Sequence, residues 1–129
     1  MTEPVWIETR DVLELHDRLL VLDGGATGLR DSGLLESALA RPRQLFAYAD
    51  NPNLIDMAAA YTAGILRNHP FFDGNKRTGF VVGILFLELN GYDFTATEAA
   101  ATHAVIQLAA GTLDEAGYRA FLRANTTAK

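Results

Sequence analysis

His69-Pro70-Phe71-Phe72-Asp73-Gly74-Asn75-Lys76-Arg77-Thr78-Gly79 runs straight into Phe80-Val81-Val82-Gly83-Ile84-Leu85-Phe86-Leu87. The second half is apolar on every face of a helix, and such a helix needs others around it. The first half gathers an imidazole, a carboxylate, an amide, an ammonium and a guanidinium between His69 and Arg77. It stands at a joint between two helical patterns, one ending before His69 and one beginning at Asn75. Pro70 disfavours helical angles at His69. Gly74 admits backbone angles that other residues resist, and Asn75 is a good N-cap. The pattern predicts a helix over about 75–89, stopped by Asn90-Gly91, with the charged stretch at its N-terminus. We expect this helix to be the most buried and most rigid element of the fold.

That placement has a chemical consequence. The first N–H groups of a helix have no internal partner, and the helix dipole adds partial positive charge there. Phosphate is the natural occupant of such a site. Arg77 can grip two phosphate oxygens at once, while Lys76 acts as a point charge. A Lys-Arg pair opposes the dipole at a helix start, which is itself an argument for a bound anion. Asp73 is a hard oxygen ligand suited to Mg²⁺, which takes one or two carboxylates together with phosphate oxygens and water. His69 can take a proton from an attacking hydroxyl. Read alone, a His before Pro serves equally as a capping or packing residue. Read together, these groups describe phosphoryl or nucleotidyl transfer, with Phe71 anchoring the loop in the core.

The segment resembles the core motif of the Fic/Doc superfamily, His-x-Phe-x-Asp/Glu-Gly-Asn-Gly-Arg-x-x-Arg in its Fic branch. The match holds at His69, Phe71, Asp73, Gly74, Asn75 and Arg77. It departs at Lys76, where Fic proteins have glycine, and at Phe80, where they have the closing arginine. Both departures follow the Doc ("death on curing") branch, with its Asn-Lys-Arg-Thr. Leu15-His16-Asp17, Gly24-Gly25, the run from Gly28-Leu29-Arg30-Asp31 to Ala40, and Phe86-Leu87 before Asn90-Gly91 are also similar to Doc proteins, so the resemblance covers nearly the whole chain.

The resemblance implies a toxin of a toxin–antitoxin pair, a protein kinase that modifies a threonine of elongation factor Tu and stalls translation. It implies His69 as the base, Asp73 as the Mg²⁺ ligand, and Gly74, Asn75, Lys76 and Arg77 as the phosphate site for ATP. It implies a compact antitoxin whose flexible segment folds as a helix into a groove. It also makes the glycine-rich stretch from Gly24 to Asp31 a flap that holds the target protein, with Arg30 as the candidate substrate contact. Two other functions are open: AMP transfer of the Fic type, and a non-enzymatic module that binds a nucleotide or a partner.

Composition narrows the classes. A chain of 129 residues, 49% of them hydrophobic, suggests one domain over 1–129 with its own core. The absence of cysteine excludes disulfides, thiolate catalysis and Cys-based zinc sites, and is compatible with a cytoplasmic protein. The N-terminal residues lack the basic-then-apolar order of a signal peptide. The longest apolar run, Phe80 to Leu87, is far below the roughly 18 residues of a membrane span. A net charge of −5 argues against a broad nucleic-acid surface, so neither a membrane nor direct nucleic-acid binding is expected.

The rest of the chain reads as helices. Val5, Trp6 and Ile7 form an extended segment against the domain. Thr9 caps a first helix with a stripe of Val12, Leu15, Leu19 and Leu22, ended by Gly24-Gly25. His16 reads as a helix-face or interface residue. The loop from Gly24 to Asp31 has the wrong spacing and setting for a nucleotide fingerprint. Asp31 or Ser32 caps a second helix that Pro42 ends, followed by a short piece over about 43–49. After the turn Asp50-Asn51-Pro52-Asn53, a helix runs from about Leu54 to Asn68, with Leu54, Met57, Tyr61 and Ile65 buried. Tyr92-Asp93-Phe94 is a connector. Thr95 or Thr97 begins another helix, stopped by Gly111, in which His103 is structural. Thr112 and Glu115 form a capping box for the last helix, and Asn125 to Lys129 is a frayed tail. With no sustained strand alternation, the fold class is all-α: a compact bundle of about six to seven helices around a buried central helix.

Overall fold

The computed structural model describes residues 2–129, so that Met1 of the expected 1–129 domain lies outside it. Among the described residues there are six helices and one small sheet: α1 (Thr9–Asp23), α2 (Ser32–Tyr48), α3 (Leu54–Asn68), α4 (Asn75–Leu89), β1 (Tyr92–Phe94), α5 (Glu98–Ala110), α6 (Glu115–Ala124) and β2 (Thr126–Ala128). The all-α class expected from the pattern is the class observed.

The bundle is built on α3. Every residue from Met57 to Ile65 is buried, and α2, α4, α5 and α6 all pack against it. The expectation that 75–89 would be the most buried helix is therefore corrected. The reason lies in side-chain size. The Ala58, Ala59, Ala60, Ala63 and Gly64 positions of α3 let neighbours approach from several sides. A Cβ on Gly64 would lie 3.3 Å from the backbone of Ala38 in α2. The bulkier Phe80, Val81, Ile84 and Leu85 of α4 form an outer, half-exposed layer. Where α4 meets α3 it too uses small residues: a Cβ on Gly83 would fall 3.0 Å from the Ala58 carbonyl oxygen. Thr62 donates its hydroxyl to the Gly79 carbonyl at 2.8 Å.

Several local expectations change for identifiable reasons. Helix α2 runs through Pro42 to Tyr48. Proline removes one N–H and leaves the Ala38 carbonyl unserved, at the point where Gly64 comes close, so the tight α2–α3 contact sustains a helix that propensity alone would break. The N-cap of α1 is Glu8, whose backbone N–H bonds Asp11 Oδ2 at 2.9 Å, and Thr9 is already helical. Leu22, expected on the buried stripe, is 78% exposed, while Val12 and His16 are buried. Helix α6 is capped by Asp114, which accepts from Gly117 N at 2.7 Å. Glu115 instead forms a two-pronged ion pair with Arg41 at 2.7 and 3.0 Å.

The connector Tyr92–Phe94 and the expected tail pair as antiparallel strands, Tyr92 opposite Ala128 and Phe94 opposite Thr126. Three residues are too few to show alternation, and the pairing joins segments far apart in sequence. Caps read correctly include Asp31 for α2, Thr97 for α5 and Gly111 at the end of α5, while α3 is capped by Asn53, the last residue of the expected turn. At the N-terminus Trp6 packs edge-on to Phe46 and stacks on Phe86, with ring centroids 5.8 and 5.9 Å apart.

Candidate active site

Helices α3 and α4 are joined by six residues, His69 to Gly74, so the C-terminus of the hub helix meets the N-terminus of its neighbour. A cavity of about 580 Å³ opens there. His69, Asp73, Gly74, Asn75, Lys76 and Arg77 all line it, facing the end of α1 and the Gly24-Gly25 turn. The expected motif residues are thus brought to one place.

Each is set by its local backbone. His69 caps α3 with φ 50° and ψ 55°, the one non-glycine residue of positive φ among the described residues. The left-handed turn stops the helix and leaves the imidazole exposed, with the apolar Pro70 and Phe71 directed inward. Gly74, at φ 79°, makes the sharp entry into α4.

Asn75 does not cap α4. Its amide folds back into the loop, accepting from Phe71 N at 3.0 Å and donating to Phe71 O at 2.9 Å, and it is 5% exposed. What Asn75 offers the cavity is its backbone N–H, beside those of Lys76 and Arg77 in the first turn. The Gly74 N–H donates to Asp73 Oδ1 at 2.9 Å.

Asp73 is exposed, and its other oxygen faces the glycine turn, where a Cβ on Gly25 would stand 2.7 Å from Oδ2. The Gly24-Gly25 stretch is therefore more than a connection: it leaves room for the Asp73 carboxylate. Among the described residues no three His, Asp or Glu side chains gather as a ready metal site. The carboxylates that line the cavity are those of Asp73 and Asp23, and the exposed Asp73 could supply one oxygen ligand to a cation shared with phosphate and water. Arg77 Nη1 lies 3.6 Å from Asp23 Oδ2, both side chains about half exposed. Lys76 is exposed and makes no ion pair among the described residues.

Two residues make contacts within the fold that the sequence does not announce. Arg30, the expected substrate contact, lays its guanidinium on the end of α3, Nε 2.8 Å from His69 O and Nη2 3.1 Å from Asn68 O. His16 is 2% exposed. Its ring stacks on Phe71 at 3.8 Å between centroids, and its Nε2 lies 2.8 Å from Asp73 O. It reaches under the loop from α1 and lines the cavity. Its signal was available: Val12 and His16 are four residues apart and share a helix face with Leu19 and Leu20.

The Fic/DOC family model matches residues 6–87, more than half of the chain. The chain belongs to the Fic/Doc family. The match takes in α1 to α3, nearly all of α4, and every residue of the site described above. Toxin Doc of Mycolicibacterium smegmatis is 39% identical over 97 residues, spanning 74% of this chain and 71% of that protein. Protein kinase doc of Escherichia phage P1 is 34% identical over 85 residues, spanning 66% of this chain and 68% of that protein. Both carry the Doc name, in keeping with Lys76 and Phe80 at the two positions that separate the branches.

Proposed function

We propose that this chain is a Doc-like toxin kinase, which transfers the terminal phosphate of ATP to a protein hydroxyl. The target we assign is a threonine of elongation factor Tu, the consequence arrested translation in the cytoplasm, and the control a cognate antitoxin. The observation that carries the reading is the convergence of His69, Asp73, Lys76 and Arg77 on one cavity at the start of α4.

The residues divide the work. The exposed His69 ring accepts the proton of the target hydroxyl as its oxygen bonds to the terminal phosphorus. The bond from that phosphorus to the β-phosphate oxygen breaks, and ADP leaves. The first-turn N–H groups of α4, with Lys76 and Arg77, bind the phosphates and balance their charge. Asp73 would hold Mg²⁺, which when bound would neutralise charge on the phosphate oxygens. Position 80 supports terminal-phosphate transfer over AMP transfer. Phe80 packs edge-on to Phe94 at 5.8 Å, so no arginine stands there to draw the distal phosphates away from His69.

Purified chain, Mg²⁺-ATP and purified elongation factor Tu test the proposal. Mass spectrometry should find one phosphothreonine, absent with His69→Ala. An unmodified factor, with phosphate on no other lysate protein, would remove the kinase reading.

A further inference from the structure

The segment from Gly28 to Asp31 runs against the first part of the His69 loop, as far as Phe72. Leu29 and Phe71 form an antiparallel bridge. The backbone N–H groups of Arg30 and Asp31 both donate to the Pro70 carbonyl, at 2.7 and 3.0 Å. Above these contacts sits the Arg30 fork, with its bonds to Asn68 O and His69 O.

Those two carbonyls belong to the two peptide planes that flank the His69 Cα. The orientation of the Asn68 carbonyl relative to that carbon is set by φ of His69, and the orientation of the His69 carbonyl by ψ. A rigid guanidinium bonded to both therefore fixes both dihedrals of one residue. That residue is the one non-glycine left-handed position among the described residues, a conformation that persists only where surrounding structure imposes it. The positive charge also suits the end of α3, where carbonyls lack internal donors.

We propose that Arg30 is a positioning residue: it holds His69 in the left-handed turn and thereby aims the imidazole into the cavity, and it does not contact the target protein. The inference rests on the reading of His69 as the base. Arg30 is exposed, and the backbone bonds that tie this segment to the Pro70 carbonyl do not involve its side chain.

The test compares wild type, Arg30→Ala, Arg30→Lys, His69→Ala and the double variant Arg30→Ala/His69→Ala. A misplacement of about 1 Å lowers turnover by up to about a hundredfold. We expect Arg30→Ala to lower kcat ten- to a hundredfold with KM for the target unchanged. Adding it to His69→Ala should change nothing further. Arg30→Lys keeps the charge but not the fork, and should recover only part of the rate. A raised KM with unchanged kcat, or full recovery by lysine, overturns the proposal. The intraresidue HN–Hα NOE of His69, strong only at positive φ because the two protons then lie closest, reports that angle without any activity. It should weaken in Arg30→Ala, and an unchanged NOE overturns the clamp. If wild type transfers no phosphate yet the NOE weakens, the clamp stands and the kinase reading falls.

Discussion

Asn75 offers the sharpest separation between a ligand contact and a loop support. Its amide satisfies both polar groups of Phe71, at 3.0 and 2.9 Å, and Phe71 itself is 1% exposed. In Asn75→Ala a buried N–H and a buried carbonyl lose their partners. Each such group costs about 1–3 kcal/mol, so the loss of stability for the two should be about 2–6 kcal/mol. For a chain of this size each kcal/mol shifts Tm by roughly 3–5 °C, which puts the drop at about 6 °C or more. In Asn75→Asp the acceptor for the Phe71 N–H survives, but a carboxylate oxygen faces the Phe71 carbonyl. Burial and the facing carbonyl raise the pKa of the new carboxyl, so the damage should ease as pH falls toward about 4, because the acid form can donate to that carbonyl. Thermal and urea unfolding of both variants, with calorimetric titration of Mg²⁺-ATP, read the two roles together. A wild-type Tm for Asn75→Ala together with lost ATP affinity would refute the reasoning, since the amide would then serve the ligand and not the loop.

Other outcomes follow from the same geometry. Gly25→Ala places a methyl 2.7 Å from Asp73 Oδ2 at a φ of +121°. Its activity should fall by about ten- to a hundredfold through displacement of that carboxylate, and an enzyme with unaltered rate and Mg²⁺ dependence would contradict the packing. Asp23→Asn removes the carboxylate 3.6 Å from Arg77. Because exposed pairs contribute at most about 1 kcal/mol, ATP should bind up to about fivefold tighter with Tm unchanged; weaker binding would mean that Asp23 serves the ligand. Burial pushes the Tyr61 and Tyr118 hydroxyls up to about 12. The unfolded chain releases these protons near pH 10 while the fold keeps them, so stability is full below about pH 10 and is lost between about pH 10 and 12, by up to about 3 kcal/mol per tyrosine. Urea midpoints measured up that range should fall, and Tyr118→Phe should flatten the decline.

Much of this molecule is legible in its sequence where the signal is local. The bounds of α3 follow from the Asp50–Asn53 turn at one end and His69-Pro70 at the other, and those of α4 from Asn75 and Asn90-Gly91, although Gly74 and not the Asn75 side chain makes the entry. The motif's residues sit within a few positions of one another, so their meeting in one cavity follows from a short loop. What the sequence conceals depends on distant partners. Nothing near Pro42 reveals that Gly64 will press against Ala38 and carry the helix through. Nothing in Tyr92–Phe94 announces Thr126–Ala128. The centrality of α3 was hidden because alanine scores as weakly apolar, although its small size is what admits neighbours on several sides. Arg30 reads as a free cation in a glycine-rich loop until the fold places two carbonyls in front of it. His16 was half-visible: its helical register with Val12 pointed inward, but only the fold reveals Asp73 O as its partner.

The central claim is that a terminal phosphate, and not a nucleotide, leaves this site. The most direct measurement incubates the purified protein with Mg²⁺ and bacterial lysate, using ATP labelled on either the γ- or the α-phosphate, beside His69→Ala. The account predicts γ label on one protein, lost in the variant, and no α label. Transfer of the α label would make the chain an adenylyltransferase despite Lys76 and Phe80, and would contradict the account.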